Sequence, residues 1–202
     1  MRKLLARLAG LLNRHKIKFL VFGGIAGVKY GAPRATFDID IVLKRNTVPK
    51  NFLDILQSEK IHSVEGITPY DFISSQYSIF RDKQGNEVDF WLKVDGFEFD
   101  EVAWRHRVDE KIGKETIHFI SPEDIVSSKL SITPTENDII DMIAVLTLNA
   151  KNFDIDYFSG RINRFKLKGR VRDLIRKMRE LMDEEDIKHH IEEGIDVLDK
   201  VK

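Results

Sequence analysis

The sequence of 202 residues contains no cysteine. Disulfide bonds, thiol nucleophiles and thiolate metal sites are therefore excluded, and the absence fits a cytoplasmic protein. There is no excess charge of either sign, because 33 basic residues balance 33 acidic ones. Internal repeats, low-complexity tracts and long linkers are also absent. With 42% hydrophobic residues, the chain can still build the core of one domain and an appendage.

The N-terminal segment lacks the uninterrupted apolar run and the cleavage site of a signal peptide, because Arg7 and Arg14 interrupt it. Its leucines instead recur at helical spacing, which predicts an amphipathic helix over residues 2–14 that packs on the core. Binding to a membrane surface is the alternative. We expect a cytoplasmic protein without membrane association.

The most informative stretch is a glycine pair followed by two aspartates, Asp38 and Asp40. The surrounding FDIDIVL (37–43) is typical of a buried strand, in which both carboxylates point to the same face. Two like charges held side by side are costly unless a cation lies between them, so the pair predicts a Mg²⁺ site. The alternative is a pair of acids at a solvated strand edge.

The glycines, Gly23 and Gly24, lie between a predicted strand over 17–22 and a predicted helix over 24–30. Bare backbone N–H groups at such a junction can bind a phosphate, although a glycine pair after a strand can also be only a turn. Metal and phosphate together indicate phosphoryl chemistry.

These residues resemble the signature of the nucleotidyltransferase superfamily of the DNA polymerase β type. That signature is a hydrophobic residue, glycine, then glycine or serine, and later hDhDh; FGG at 22–24 and FDIDI at 37–41 match it. The resemblance implies a third carboxylate on a later strand, for which Asp89 in NEVDFWLKV is the candidate. Glu87 shares its face and stays the alternative ligand, and an acid facing water on a hairpin is the other alternative.

The resemblance also implies a mechanism. Two Mg²⁺ ions would bridge Asp38 and Asp40 to a nucleoside triphosphate, and Asp89 would hold the metal next to the attacking hydroxyl. The hydroxyl would attack the α-phosphate and pyrophosphate would leave. Gly23 and Gly24 would let the backbone approach the β and γ phosphates.

Two basic residues are further candidate nucleotide contacts. Arg34 precedes the aspartates and could reach a phosphate or be an ordinary loop arginine. Lys129 follows SPEDI (121–125), which resembles the segment after the catalytic domain in AbiEii-like, toxin-type enzymes. In those enzymes a lysine and an acid on the later helices contact the nucleotide or support the site, and Asp138 or Asp141 matches the acid. In this sequence Thr135-Glu136-Asn137 replaces the basic pair that usually precedes that acid. Lys129 could equally be a lysine on the helix surface.

The sequence predicts an α+β (mixed α/β) fold: a polymerase-β-like nucleotidyltransferase sheet with flanking helices over 1–120, the catalytic domain, and a C-terminal helical region over 121–202. Ser121 is the predicted N-cap of the first later helix, with Pro122 at its first position. Strands are predicted at 37–43, 61–65, 77–81, 87–94, 102–108 and 115–120, and helices at 50–59, 137–149, 155–164, 168–183 and 186–200.

Charge is unevenly distributed despite the neutral total. Residues 1–37 hold eight basic residues and no acid, and residues 161–179 hold nine basic residues and one acid. Either segment could bind acceptor RNA or protein through backbone-type, salt-sensitive contacts. The alternative for the second segment is a solvated helix face balanced by the acidic tail.

Two functions follow. The first is a Mg²⁺-dependent nucleotidyltransferase that transfers a nucleoside monophosphate from a nucleoside triphosphate to a hydroxyl group. The acceptor would be RNA (tRNA among the candidates), a protein or a small molecule. Such an enzyme could act as a toxin with a cognate antitoxin. The second is an inactive member of the fold that binds nucleotide or a partner, as an antitoxin or scaffold. A phosphodiesterase or nuclease using the same carboxylates would release monophosphate instead.

Overall fold

The computed structural model describes residues 1–33, 35–181 and 188–201. The chain divides into two compact units. The sheet unit comprises Met1–Ala26, Ala35–Val94 and Glu98–Ile120; the helical unit comprises Gly27–Arg34, Asp95–Phe97 and Ser121–Lys202.

In the described residues, seven strands form one mixed sheet of order β3-β4-β5-β2-β1-β7-β6. The neighbours β2 and β5 are parallel, as are β1 and β7, and the other pairs are antiparallel. The strands are β1 Phe19–Phe22, β2 Asp38–Leu43, β3 His62–Ser63, β4 Tyr77–Arg81, β5 Glu87–Trp91, β6 Val108–Ile112 and β7 Glu115–Phe119.

The α-helices of the described ranges follow the predicted order, with two short additional ones, one before β4 and one before β6. They are α1 Arg2–Arg14, α2 Gly23–Lys29, α3 Phe52–Ser58, α4 Pro69–Ser74, α5 Glu101–His106, α6 Pro122–Ser131, α7 Glu136–Asn149, α8 Ile155–Arg164, α9 Lys168–Glu180 and α10 Lys188–Asp199. The predicted α+β class, with a mixed sheet and flanking helices, is confirmed. None of the helices in the described ranges is long and apolar enough to cross a membrane.

One face of the sheet packs against helices and forms the core of the sheet unit, so polar groups lie on the other face. Phe80 of β4 and Phe90 of β5 pack against Phe52 of α3 and Phe72 of α4, with ring centroids 5.1 to 6.1 Å apart. All four side chains are at most 2% exposed, and each contributes about 2 to 3 kcal/mol through burial. Because strand side chains alternate, this packing directs the intervening residues of β4 and β5 to the opposite face.

The helical unit is held by apolar contacts and by a buried polar cluster between α6 and α8. Ser121 caps α6 as predicted, since its hydroxyl accepts a hydrogen bond from the Asp124 amide, and Pro122 begins the helix. The Asp124 carboxylate accepts a hydrogen bond from the Tyr157 hydroxyl at 2.6 Å and lies 3.1 Å from Nε of Arg161. Asp124 and Arg161 are 1% and 3% exposed, so neither charge could be buried without the other.

Three local predictions are wrong. Residues 102–108 are not a strand, because the Asp100 side chain caps a helix there by accepting from the Ala103 amide, and β6 begins only at Val108. Phe37 is not part of the buried strand: β2 begins at Asp38 and Phe37 is 84% exposed. The sequence prediction also missed α4, although a capping box at Thr68 and a proline at its first position mark the start.

Two C-terminal predictions agree only in part with the structure. The helix predicted over 168–183 ends as α9 at Glu180, and residues 182–183 lie outside the described ranges. The helix predicted over 186–200 is described from Lys188 to Asp199, and residues 186–187 again lie outside.

Candidate active site

Two parallel strands at the centre of the sheet bring the predicted acids together. In the β2–β5 register, Asp38 lies opposite Glu87 and Asp40 lies opposite Asp89. Neighbouring strands are about 4.8 Å apart, so the four carboxylates occupy one small area of one sheet face. The residues between them, such as Ile39 and Val88, are fully buried on the other face.

This arrangement makes the acids difficult to ionise together. Burial, and after it the charges of Asp38 and Asp89, raises the pKa of Asp40 to about 7. Burial, and after it the charges of Glu87 and Asp38, raises the pKa of Asp89 to about 6. A cation among these side chains would remove the repulsion and return both groups to the charged form.

Neighbouring groups orient two of the carboxylates. The indole N–H of Trp91 donates a hydrogen bond to Oδ1 of Asp40 at 3.1 Å, and the backbone N–H of Gly24 donates to the same carboxylate. The hydroxyl of Thr36 donates to Oδ1 of Asp38 at 2.5 Å. Each hydrogen bond favours the ionised carboxylate and limits its rotation.

The two candidates for the third carboxylate differ in their partners. Glu87 already has a cation, because Nη2 of Arg81 lies 2.8 Å from its Oε2. Oδ1 of Asp89, in contrast, is buried and accepts no hydrogen bond within the described part of the chain. A buried oxygen without a donor is costly, so Asp89 is the carboxylate that gains more from a cation.

The donor set suits a hard divalent ion. Carboxylate oxygens are the ligands that Mg²⁺ prefers. Oδ1 of Asp89 is such an oxygen, and it accepts no hydrogen bond in the described part of the chain. As the side chains stand, however, no group of three or more His, Cys, Asp or Glu in the described ranges converges closely enough to hold a metal. Because Trp91 and Gly24 hold the Asp40 carboxylate, a rotation of at least one aspartate is needed before three of them can share an ion.

The glycine pair is required by Asp40 itself. Gly23 has φ +61°, a conformation that favours glycine, and a β-carbon there would lie 2.0 Å from Oδ2 of Asp40. Gly24 is buried, and its amide is one of the donors to Asp40. The glycines therefore have a structural task at the acids in addition to the phosphate approach predicted from the sequence.

The two basic candidates are placed differently. Lys129 lies on α6 in the helical unit, where its Nζ is 2.6 Å from Asp138 and 3.0 Å from Asp141. It is 9% exposed, so the interpretation as a helix-surface lysine is wrong. The structure does pair it with both acids suggested by the resemblance. Arg34 lies outside the described residues.

Trp91 is the site residue that sequence reasoning missed. It follows Asp89 by two positions on β5, so alternation alone places it on the face of the acids. Which of the nearby carboxylates it would reach depends on the parallel β2–β5 register, and this cannot be deduced from the segment itself.

Comparisons with known proteins identify a family and a shared fold. Residues 1–196 match the family described as "Nucleotidyl transferase of unknown function (DUF2204)". Among solved structures, the chain is similar to an antigenic nucleotidyltransferase-like protein from Paracoccidioides brasiliensis, with 18% identity, a TM-score of 0.54, and coverage of 95% of this chain and 91% of that one. A candidate nucleotidyltransferase from H. pylori is 14% identical, with a TM-score of 0.49 and coverage of 99% and 92%. No curated protein matches the sequence. The first of the two structures shows a shared fold.

Proposed function

Since the chain belongs to this family of nucleotidyl transferases of unknown function, we propose that it is a Mg²⁺-dependent nucleotidyltransferase. It would move a nucleoside monophosphate from a nucleoside triphosphate to an acceptor hydroxyl. The observation that carries the proposal is the β2–β5 register, which puts Asp40 beside Asp89 while one Asp89 oxygen stays buried without a donor. Such a cluster destabilises a protein that makes no use of it, which favours the enzyme over the inactive alternative.

The residues that would hold Mg²⁺ are Asp38, Asp40 and Asp89, for two ions as the resemblance implies. Bound there, Mg²⁺ would neutralise charge on the triphosphate and increase the acidity of the acceptor hydroxyl. The chain's own groups would orient these ligands: the Trp91 indole holds Asp40 and the Thr36 hydroxyl holds Asp38.

The reaction exchanges one phosphorus–oxygen bond for another. The acceptor oxygen forms a bond to the α-phosphorus, the bond from that phosphorus to the bridging oxygen of pyrophosphate breaks, and the acceptor proton passes to the Asp89 carboxylate. The absence of side chains at Gly23 and Gly24 would admit the β and γ phosphates close to the backbone. The nucleotide contacts of Arg34 and Lys129 stay predictions.

For the acceptor, the second basic segment is the stronger candidate. Three of the basic residues in 1–37 are ion-paired: Arg7 with Asp82 at 3.8 Å, Arg14 with Glu59 at 3.2 Å and Lys18 with Glu101 at 3.4 Å. Around α9, five exposed cations make no ion pair within the described ranges: Lys166, Lys168, Arg170, Arg172 and Lys177. We therefore propose RNA as the acceptor class, held through its phosphates. The toxin-type branch, a cognate antitoxin and the cytoplasmic location stay predictions.

The deciding experiment supplies each α-³²P-labelled nucleoside triphosphate with Mg²⁺, total RNA and cell lysate. Wild-type protein is compared with Asp38→Ala/Asp40→Ala and with Glu65→Gln, which removes an exposed acid far along the chain from both strands. We expect label on RNA and released pyrophosphate with wild type and Glu65→Gln only. Release of monophosphate would instead indicate a phosphodiesterase, and triphosphate binding without transfer would indicate the inactive alternative.

A further inference from the structure

An aromatic pair lies beside the carboxylates on the same face of the sheet. Tyr77 of β4 is directly opposite Trp91 of β5, and Trp91 is two residues beyond Asp89. The two rings are stacked, with centroids 4.5 Å apart and an interplanar angle of 18°. Phe22 of β1 makes a T-shaped contact with the indole, with ring centroids 5.6 Å apart and an interplanar angle of 82°.

The indole connects this pair to the acids. Its N–H donates to Oδ1 of Asp40 at 3.1 Å, so the carboxylate and the aromatic stack are in direct contact. Trp91 therefore contacts both Asp40 and Tyr77. A ligand whose phosphates bind a metal ion held by the acids would have its neighbouring groups near the stack.

The outer member of the stack is available to a ligand. Tyr77 is 46% exposed, although a tyrosine ring is large and mostly apolar. Its hydroxyl has no hydrogen-bond partner within residues 1–33, 35–181 and 188–201. The charged pair on the same two strands, Arg81 and Glu87, is already neutralised. An uncharged, flat heterocycle suits such a surface better than a charged or aliphatic group.

Resting on the proposed function, we propose that Tyr77 and Trp91 form a nucleobase platform next to the metal-binding acids. The base stacks on the exposed ring of Tyr77, and Trp91 both supports Tyr77 and orients Asp40. Stacking makes few demands on base identity, but a purine covers more of the ring than a pyrimidine. The platform therefore favours purine nucleotides.

The base could belong to the donor triphosphate or to the 3′ nucleotide of an RNA acceptor. Binding experiments separate these sources without relying on turnover. Calorimetry with Mg²⁺ would compare α,β-methylene-ATP, inorganic tripolyphosphate and a short oligoadenylate. The protein would be wild type, Tyr77→Leu, which removes the aromatic ring, or Tyr77→Phe, which keeps it.

If the platform binds the donor, Tyr77→Leu weakens the binding of α,β-methylene-ATP by about tenfold. Tyr77→Phe changes that binding little, and neither variant changes the binding of tripolyphosphate much. If it binds the acceptor, the same selective loss appears with oligoadenylate, which also supports a nucleobase platform. Equal loss of tripolyphosphate binding, or unchanged binding of both adenine ligands, would overturn the platform. Unchanged nucleotide binding would leave the proposed function intact, whereas a wild type that binds neither α,β-methylene-ATP nor tripolyphosphate would overturn both.

Discussion

A β-carbon on Gly23 would lie 2.0 Å from Oδ2 of Asp40 and 2.9 Å from its Cβ. The glycine of β1–α2 and the aspartate of β2 are thus fitted to each other, since Phe22, the last residue of β1, pairs with Asp40. The backbone at Gly23 adds a second constraint through its φ of +61°. Asp40 in this position therefore requires glycine at position 23, independently of any ligand.

The first prediction is that Gly23→Ala destabilises the protein by about 2 to 4 kcal/mol, through the clash and the unfavourable φ. Urea unfolding measures the loss, with Gly169→Ala as control, because a β-carbon on that glycine of α9 meets nothing within 4 Å. In an Asp40→Ala background the cost of Gly23→Ala should shrink, since the 2.0 Å contact is gone. An equal cost in both backgrounds would mean that the side chain of Asp40 is not the obstacle.

The second prediction concerns pH. Burial first, then Asp38 and Asp89, raises the pKa of Asp40 from 3.8 to about 7, so the folded state binds this proton more tightly than the unfolded chain. Without divalent cations, the contribution of Asp40 to stability is full below its unfolded pKa and is lost as the pH rises through 7. The full loss is on the order of 4 kcal/mol. Asp89, with a pKa raised to about 6, changes stability in the same direction.

Thermal unfolding in a chelator should therefore give a lower Tm at about pH 8 than at about pH 5. Asp40→Asn should flatten this difference and raise the Tm at the higher pH, because the repulsion is removed. Buried acids elsewhere titrate in both proteins, so the comparison reports Asp40 together with its coupling to Asp38 and Asp89. Added Mg²⁺ should raise the wild-type Tm at the higher pH more than that of the variant, and identical pH slopes would contradict the electrostatic account.

The third prediction separates orientation from packing at Trp91. Trp91→Phe keeps an aromatic ring against Tyr77 and Phe22 but removes the N–H that donates to Asp40. We expect kcat to fall about tenfold, with KM within about twofold and little change in Tm, since one hydrogen bond to a charged group is lost. Trp104→Phe is the matched control, because that indole contacts Phe99, His118 and basic side chains instead of the acids. A parallel fall in Tm and kcat would assign Trp91 a packing role only.

The sequence predicts those parts of the site that depend on residues close together along the chain. Alternation along β2 and β5 was sufficient to place Asp38, Asp40 and Asp89 on strand faces, and the leucine spacing predicted α1. Whether Asp89 or Glu87 is the better candidate ligand depends on a contact between strands, because Arg81 of β4 forms an ion pair with Glu87 of β5.

Other features could not be predicted because a weak signal competed with a stronger one. The turn at Gly113 and Lys114 favoured a strand pair that included residues 102–108, but the Asp100 cap stabilises a helix there. The hydrogen bond from Trp91 to Asp40 joins residues 51 positions apart, so it appears only once the register of β2 against β5 is known.

The fourth prediction concerns the buried lysine of α6. Lys129→Met leaves Asp138 and Asp141 without their shared cation, and Asp141 is fully buried. Removing one partner of a buried ion pair costs about 3 to 5 kcal/mol, so a large drop in Tm is expected. Lys129→Met/Asp141→Leu should recover part of the loss because the uncompensated charge is also removed. Unchanged stability of the single variant would indicate that the lysine is kept for a ligand.

The fifth prediction tests RNA as the acceptor. Lys168→Glu/Arg172→Glu reverses two exposed cations of α9 that lie one helical turn apart and have no ion pair in the described ranges. Binding of RNA should weaken by at least about tenfold at low salt, and the slope of affinity against salt should become shallower because fewer counterions are released. The matched control, Arg2→Glu/Lys3→Glu, reverses two exposed cations at the start of α1. Equal losses from both pairs would reflect only the change in net charge, whereas a loss confined to α9 would place the phosphate contacts on that helix.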